Sequence, residues 1–293
     1  MLLGGLVQGY TSGVFFQGFG AFFTPIAEQL GWSRGATALA TSIQRAGQSV
    51  LSPFAGMAFD RFGPRWLIAL GLFTIGVSFI LMSRSQELWH FYGSVLLLTL
   101  GLSFGTFIVL VGTVSNWFIR KRSRAISVLM ACTAVGGMAV PLLVLVIDTY
   151  GWRETMVGVG VGFWIIAVPA VALIRRRPEQ YGLVPDGEES PSQARARGQQ
   201  QEAGRQRSPR EFQIPVRAAL RTRFFWQLAL GTSLGHMMTG TTILHIDAMQ
   251  SFGISRGVAG LAVFGVAASS FAGRLRFGFL GDMMDKRVLM ALA

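Results

Sequence analysis

A chain of 293 residues that is 51% hydrophobic and only 14% charged falls well short of the roughly 25% charge of an ordinary soluble domain, so water is not the solvent its surface is built for. A mean hydropathy of +0.48 agrees. The net charge of +12 admits nucleic acid as a partner until the charges are placed along the chain, and the single cysteine, Cys132, excludes a disulfide framework.

Spanning a bilayer takes roughly 20 apolar residues in a helix. Runs of that kind fall at 2–28, 34–59, 65–84, 88–117, 123–147, 152–174, 222–249 and 255–280. The first has neither a charged leader before it nor a small-residue cleavage site after it, so it reads as a span and not a signal peptide. Gly5, Gly9 and Gly13 in span one, Gly101 and Gly105 in span four, and Gly231 and Gly235 in span seven recur every fourth residue. Such stripes let helix backbones approach closely where lipid offers no hydrophobic drive.

The basic residues set the orientation. Of the 26 Lys and Arg, 19 fall in the connections after spans two, four, six and eight, and 4 (Arg34, Arg84, Arg153, Arg256) on the opposite side. Positive charge stays in the cytoplasm, so the N-terminus and the even connections are expected there. The nucleic-acid reading then loses its support. Residues 176–221, rich in Pro, Gln, Gly, Arg and Glu, cannot bury enough to offset their ordering entropy and read as a flexible cytoplasmic linker. The chain divides accordingly into a six-helix bundle (1–175), the linker, and the start of a second bundle (222–293).

Gly56 to Arg65, GMAFDRFGPR, packs Gly, Asp, Arg, Gly, Pro and Arg between two spans, and Gly278 to Arg287, GFLGDMMDKR, repeats its frame. The offset is 222 for Gly56 and Gly278, Asp60 and Asp282, Arg65 and Arg287, and also for Gly31 to Gly35 against Gly253 to Gly257. A shift held over about thirty residues marks a duplicated unit. With six spans before the linker, the two halves are expected to be parallel repeats about an axis along the membrane normal. The second copy carries Met283 and Asp285 where the first has Arg61 and Gly63. Gly56 is expected to allow close helix contact, Gly63-Pro64 to turn the chain with Pro64 in the next helix's first turn, and Asp60 to meet a helix N-terminus. Arg61 and Arg65 hold the loop on the cytoplasmic side.

These features resemble the major facilitator superfamily of secondary transporters: the G-x-x-x-D-R-x-G-x-R loop after span two, its echo after span eight, and six spans followed by a linker. The resemblance implies an all-α polytopic membrane fold, with about 8 of an expected 12 helices in this sequence. It also implies that the cluster of Gly56, Asp60, Arg61, Gly63 and Arg65, with Gly278, Asp282 and Arg287, latches the cytoplasmic gate. Within the superfamily, SGVFFQGFGAFF, NWFIRKRSRAISVLMACTAVGG and HIDAMQSFGISRGVAG look most like the monocarboxylate transporter and oxalate/formate permease group. Arg274 falls on the span-eight arginine those families use to bind a carboxylate. Gln17 stands where many members carry a lysine, and Ser270 where animal carriers have an aspartate. The resemblance thus implies a carboxylate-like substrate and leaves a proton-coupled lactate-type mechanism unsupported.

Candidate chemistry follows the membrane depth. Arg45 lies eleven residues beyond Arg34, about 16 Å along a helix, near the midplane, where an arginine either binds an anion or pairs structurally. Arg274 either neutralises substrate or snorkels to the interface. Tyr10 and Gln17, seven apart in span one, are expected to face the same way, as substrate contacts or as helix-packing hydrogen bonders. His236, mid-span, is a candidate both for substrate contact and for carrying a coupling proton, or else it packs. His245 and Asp247 either pair at the surface or form a proton entry point. No phosphate-binding Gly-Lys-Ser/Thr loop and no metal-ligand spacing occurs, so neither an enzyme, a cofactor nor a metal is expected. The expected partners are a small anionic solute, a coupling proton or counter-solute, and the bilayer, with a monomer as the working unit. A drug antiporter would prefer acids in the cavity, and a chain lacking four helices could be a membrane protein that does not transport.

Overall fold

The computed structural model describes residues 2–118, 122–174 and 251–280, together with 221–223, 225–227, 229–231 and 248–249. Every element among them is a helix. Span one is built from α1 (Leu2–Thr11), a π-helical turn (Ser12–Gln17) and α2 (Gly20–Leu30). Then come α3 (Arg34–Phe62), α4 (Pro64–Ser83), α5 (Leu88–Gly105), α6 (Phe107–Trp117), α7 (Arg122–Met138), α8 (Val140–Tyr150), α9 (Trp152–Leu173) and α10 (Arg256–Leu280). The pairs α5–α6 and α7–α8 each continue one span across a break, at Thr106 and Ala139. Five described stretches are long and apolar enough to cross a membrane. With its 29 residues α3 is the longest helix among the described residues, and it falls outside that group because it carries a polar stripe through its middle. Most of span seven and almost all of the 176–221 linker lie outside the described residues.

The caps explain where the spans begin and end. Gly31 closes α2 at φ 67, and Ser33 opens α3 by accepting the Ala36 N–H on its hydroxyl at 3.1 Å. Gly63, at φ 78, ends α3 with its N–H on the Phe59 carbonyl, and Pro64 starts α4, a position where its missing N–H costs nothing. The duplication reappears in the backbone. Gly253 has φ 81, and the Ile254 N–H donates to the Met249 carbonyl as Trp32 does to Ala27, each at 3.1 Å. Ala259 bonds back to Ser255 as Thr37 does to Ser33. Each pair sits 222 residues from its counterpart, so the repeat is one of hydrogen bonds as well as letters.

Glycines set the closest crossings. A Cβ on Gly71 would stand 2.2 Å from Gly105 Cα, and one on Gly76 would stand 2.8 Å from the Gly160 carbonyl oxygen, so α4 packs backbone to backbone on α5 and α9. Gly56 behaves differently from expectation: nothing among the described residues comes within 4 Å of the place a Cβ would take. Its contact with a neighbouring helix is therefore not made to any described segment. Inside the bundle, Phe15, Phe19, Phe22, Phe23, Phe79 and Phe163 are fully buried, with Phe79 stacked on Phe163 at 5.9 Å. Outside, Trp66 and Trp89 are 75% and 80% exposed, each near a span's beginning, where an indole ring suits the membrane interface.

Arg153 binds the end of α4. Its guanidinium donates to the carbonyls of Ser83 at 2.5 Å and Ser85 at 3.4 Å, and lies 4.4 Å from the Trp152 ring centroid. A cation at a helix C-terminus is favourable and satisfies carbonyls that have no helical partner. Arg153→Ala is expected to cost about 1–2 kcal/mol, read as a lower thermal midpoint in detergent. An unchanged midpoint would show that these bonds contribute nothing net.

Candidate functional site: a polar cavity

In α3, Arg45, Gln48, Ser49 and Ser52 follow one another at i, i+3, i+4 and i+7, which places them on one helical face. That face lines a cavity of about 920 Å³. Ser49 donates its hydroxyl to the Arg45 carbonyl at 3.0 Å and Ser52 to that of Gln48 at 2.9 Å, so both hydroxyl protons are spent within the helix. Gln48 also accepts from the Gln44 amide at 3.0 Å.

Span one contributes Gln8, Ser12 and Gln17 to the same cavity. The Gln17 amide donates to the Ser12 hydroxyl and to the Thr133 carbonyl of α7, each at 3.0 Å. Gly137 makes room for it: a Cβ there would stand 2.2 Å from Gln17 Oε1. Helix α10 packs chiefly along α7 and brings Ser270 and Arg274 to the cavity wall. Arg274 Nη1 donates to the Met130 carbonyl at 2.6 Å and to the Thr133 hydroxyl. Thr133 therefore joins span one to α10, holding Gln17 on its carbonyl and Arg274 on its hydroxyl.

Two arginines far apart in sequence, Arg45 and Arg274, thus share one polar wall, and among the described residues lining it there is no carboxylate. Gln8, Gln48, Ser49, Ser52, Ser103 and Thr133 were not singled out by the sequence. For the three in α3 a signal was there, since they complete the helical spacing begun by Arg45.

Tyr10 departs from the same-face expectation. Its hydroxyl donates to the Val159 carbonyl at 3.2 Å and its ring meets Phe163 edge-on at 4.8 Å. It lines a second, almost wholly apolar groove of about 850 Å³ between spans one, five and six. The π turn at Ser12–Gln17 is the cause: it takes up about one extra residue, so seven positions no longer close two turns and Gln17 rotates away from Tyr10. Of the loop residues, Asp60, Arg61 and Arg65 are exposed at the end of α3 and start of α4, with Arg61 5.4 Å from the Phe62 ring centroid. His236, His245, Asp247, Asp282 and Arg287 lie outside the described residues, and Gly278 is in the last turn of α10.

The family model of the Major Facilitator Superfamily matches residues 2–293. The chain belongs to this superfamily. It is an all-α, polytopic integral membrane protein. Its relatives include human monocarboxylate transporter 11, 27% identical over 160 residues, and human monocarboxylate transporter 7, 28% identical over 157 residues, each alignment taking in 53% of this chain. The membrane sensor protein UhpC of Salmonella typhimurium is 28% identical over 180 residues, or 60% of this chain. These alignments cover 33%, 29% and 39% of the relatives' own lengths, so the chain spans about a third of each. The likeness to monocarboxylate transporters thus extends over about half of this chain.

Proposed function

We propose that this superfamily member is a secondary transporter for a small organic anion, a monocarboxylate or related carboxylate, moved by alternating access. The observation that carries the reading is the cavity wall to which both Arg45 and Arg274 belong, the described lining residues of which include no carboxylate. A bare carboxylate is prohibitively costly in a low dielectric unless a cation meets it, and an arginine within a membrane span is costly unless it faces a cavity or a partner. One arginine comes from each half, so an anion between them bridges the two bodies that must rock. Arg45, Arg274 and Gln17 are the substrate residues in this reading. Tyr10, by its groove, supports the packing of spans one and six. His236, His245 and Asp247 remain the candidates for a coupling proton, the loop cluster after span two is the cytoplasmic latch, and the N-terminus and linker are cytoplasmic by the charge asymmetry.

The test is uptake of labelled mono- and dicarboxylates into vesicles holding the protein, against their uncharged amides, with and without an imposed proton gradient. Carboxylates are expected to accumulate and amides not to. Equal handling of both would end the anion reading. A second reading is favoured by one relative's name, membrane sensor protein: the chain binds its anion without moving it. Saturable carboxylate binding with no uptake would choose that reading. The absence of acids on the described wall weighs against a drug antiporter, which would need one to hold a cation.

A further inference from the structure

We propose that the apolar groove between spans one, five and six binds an acyl chain of a phospholipid whose headgroup ends in an amine, the ammonium pairing with Glu154 at the mouth of the groove. This site is separate from the polar cavity and does not depend on the anion reading.

The two faces of span five keep the sites apart. On α7, Met130 and Thr133 bind Arg274 of α10, whereas Cys132, Val135 and Ala139 line the groove. At 3.6 residues per turn these two sets look to opposite sides of the helix. The division continues on α8. A Cβ on Gly260 of α10 would stand 3.6 Å from Pro141 Cα and 3.9 Å from Val144 Cγ2, while Leu142, Val146 and Tyr150 line the groove. From Cys132 to Tyr150, then, the groove opens away from α10. Leu6, Val135 and Leu142 on its rim are at least half exposed, and an exposed apolar rim of this kind in an integral membrane protein meets the lipid chains.

Shape and charge then narrow the occupant. Glu154 and Ile166 of α9 both line the groove, and their twelve residues of separation span about 18 Å at helical rise. Half of the hydrocarbon core, one leaflet's share, is about 15 Å. The interior asks for no polar partner, because its lining is almost wholly apolar and the Tyr10 hydroxyl is already given to the Val159 carbonyl. Among the described lining residues Glu154 is the only charged one. It stands in the first turn of α9, at the membrane face where span six begins. Arg153 beside it is turned to the end of α4, its guanidinium on the Ser83 and Ser85 carbonyls. An ammonium headgroup is attracted to a carboxylate at this mouth, whereas a phosphatidylglycerol headgroup brings only negative charge to it.

The experiment is native mass spectrometry of the full chain, taken into mild detergent from vesicles of equal parts phosphatidylethanolamine and phosphatidylglycerol. The parent is expected to retain one lipid, with the ethanolamine form favoured about two- to fivefold, the worth of an exposed ion pair. In Glu154→Gln the two lipids are expected in equal amounts. Gly158→Phe fills the groove one turn from Glu154, where nothing among the described residues lies within 4 Å of the Cβ position, and is expected to lose the retained lipid. Leu142→Trp fills it from the span-five wall and makes the same test should the first variant not fold. A parent without retained lipid, or retention that the filling variants keep, would overturn the site. A preference that survives Glu154→Gln would overturn the amine assignment. A parent dimer that the filling variants dissociate would give the groove to a second copy of the chain and overturn the proposal as well. None of these outcomes bears on the anion cavity, which is tested by carboxylate uptake.

Discussion

Replacing Arg274 with alanine is expected to lower carboxylate affinity by ~10- to 150-fold, and uptake with it. The range is that of a hydrogen bond to a charged group, about 1.5–3 kcal/mol, converted at tenfold per ~1.4 kcal/mol. Arg274→Lys should recover part of the loss, because a lysine keeps the charge but not the planar fork that matches a carboxylate. Arg45→Ala should behave like Arg274→Ala if both guanidiniums meet the solute. The measurement is a binding isotherm beside an initial uptake rate, with the thermal midpoint of each variant as the check on folding. Parent-like binding in both alanine variants would show that these arginines are structural and that the site is elsewhere.

Thr133 sharpens the same test. In the structure the Arg274 guanidinium already has acceptors, the Met130 carbonyl and the Thr133 hydroxyl. A carboxylate must compete with them for that cation. Thr133→Val leaves the carbonyl that holds Gln17 and removes only the hydroxyl, so one competitor is lost. Affinity should rise by a few-fold, the worth of one neutral acceptor. A fall would mean that Thr133 positions Arg274 for the solute instead of holding it back.

Much of this architecture was legible from the letters because its signals are local or periodic. The spans follow from apolar length, Ser33 and Gly63 from cap chemistry, and the duplication from a constant offset that the backbone hydrogen bonds at Ala27 and Met249 repeat. What was not legible depends on accumulated rotation or on distant neighbours. No residue in SGVFFQ announces a π turn, yet that turn decides that Tyr10 and Gln17 look in different directions. Thr133 gave no signal, because its importance comes from being met by span one on one side and α10 on the other. The polar stripe from Arg45 to Ser52 is the instructive case: its spacing was readable, and attention to the charge obscured the uncharged residues beside it.

The second large effect concerns the crossing that sets this geometry. A Cβ on Gly136 would stand 1.9 Å from the Gly9 carbonyl oxygen, and one on Gly13 would stand 2.4 Å from the Gly136 carbonyl oxygen. Backbone meets backbone, so no side chain can turn aside to make room. Gly136→Ala should therefore force spans one and five apart at an overpacking cost of about 1–3 kcal/mol, and Gly136→Leu should prevent the bundle from assembling. Gly158→Ala is the control, since nothing among the described residues lies within 4 Å of its Cβ position, and the thermal midpoint should stay near the parent's. The consequence for function follows from the next residue along. Gly137 makes the space that Gln17 occupies, and Gln17 binds the carbonyl of Thr133, whose hydroxyl holds Arg274. Widening the crossing by even part of an ångström should therefore move Gln17 off Thr133 and shift Arg274 with it. Gly136→Ala is expected to lose affinity for the anion in step with its loss of stability. If the midpoint falls while affinity holds, the crossing is a folding device alone and the cavity wall is positioned from the α3 side.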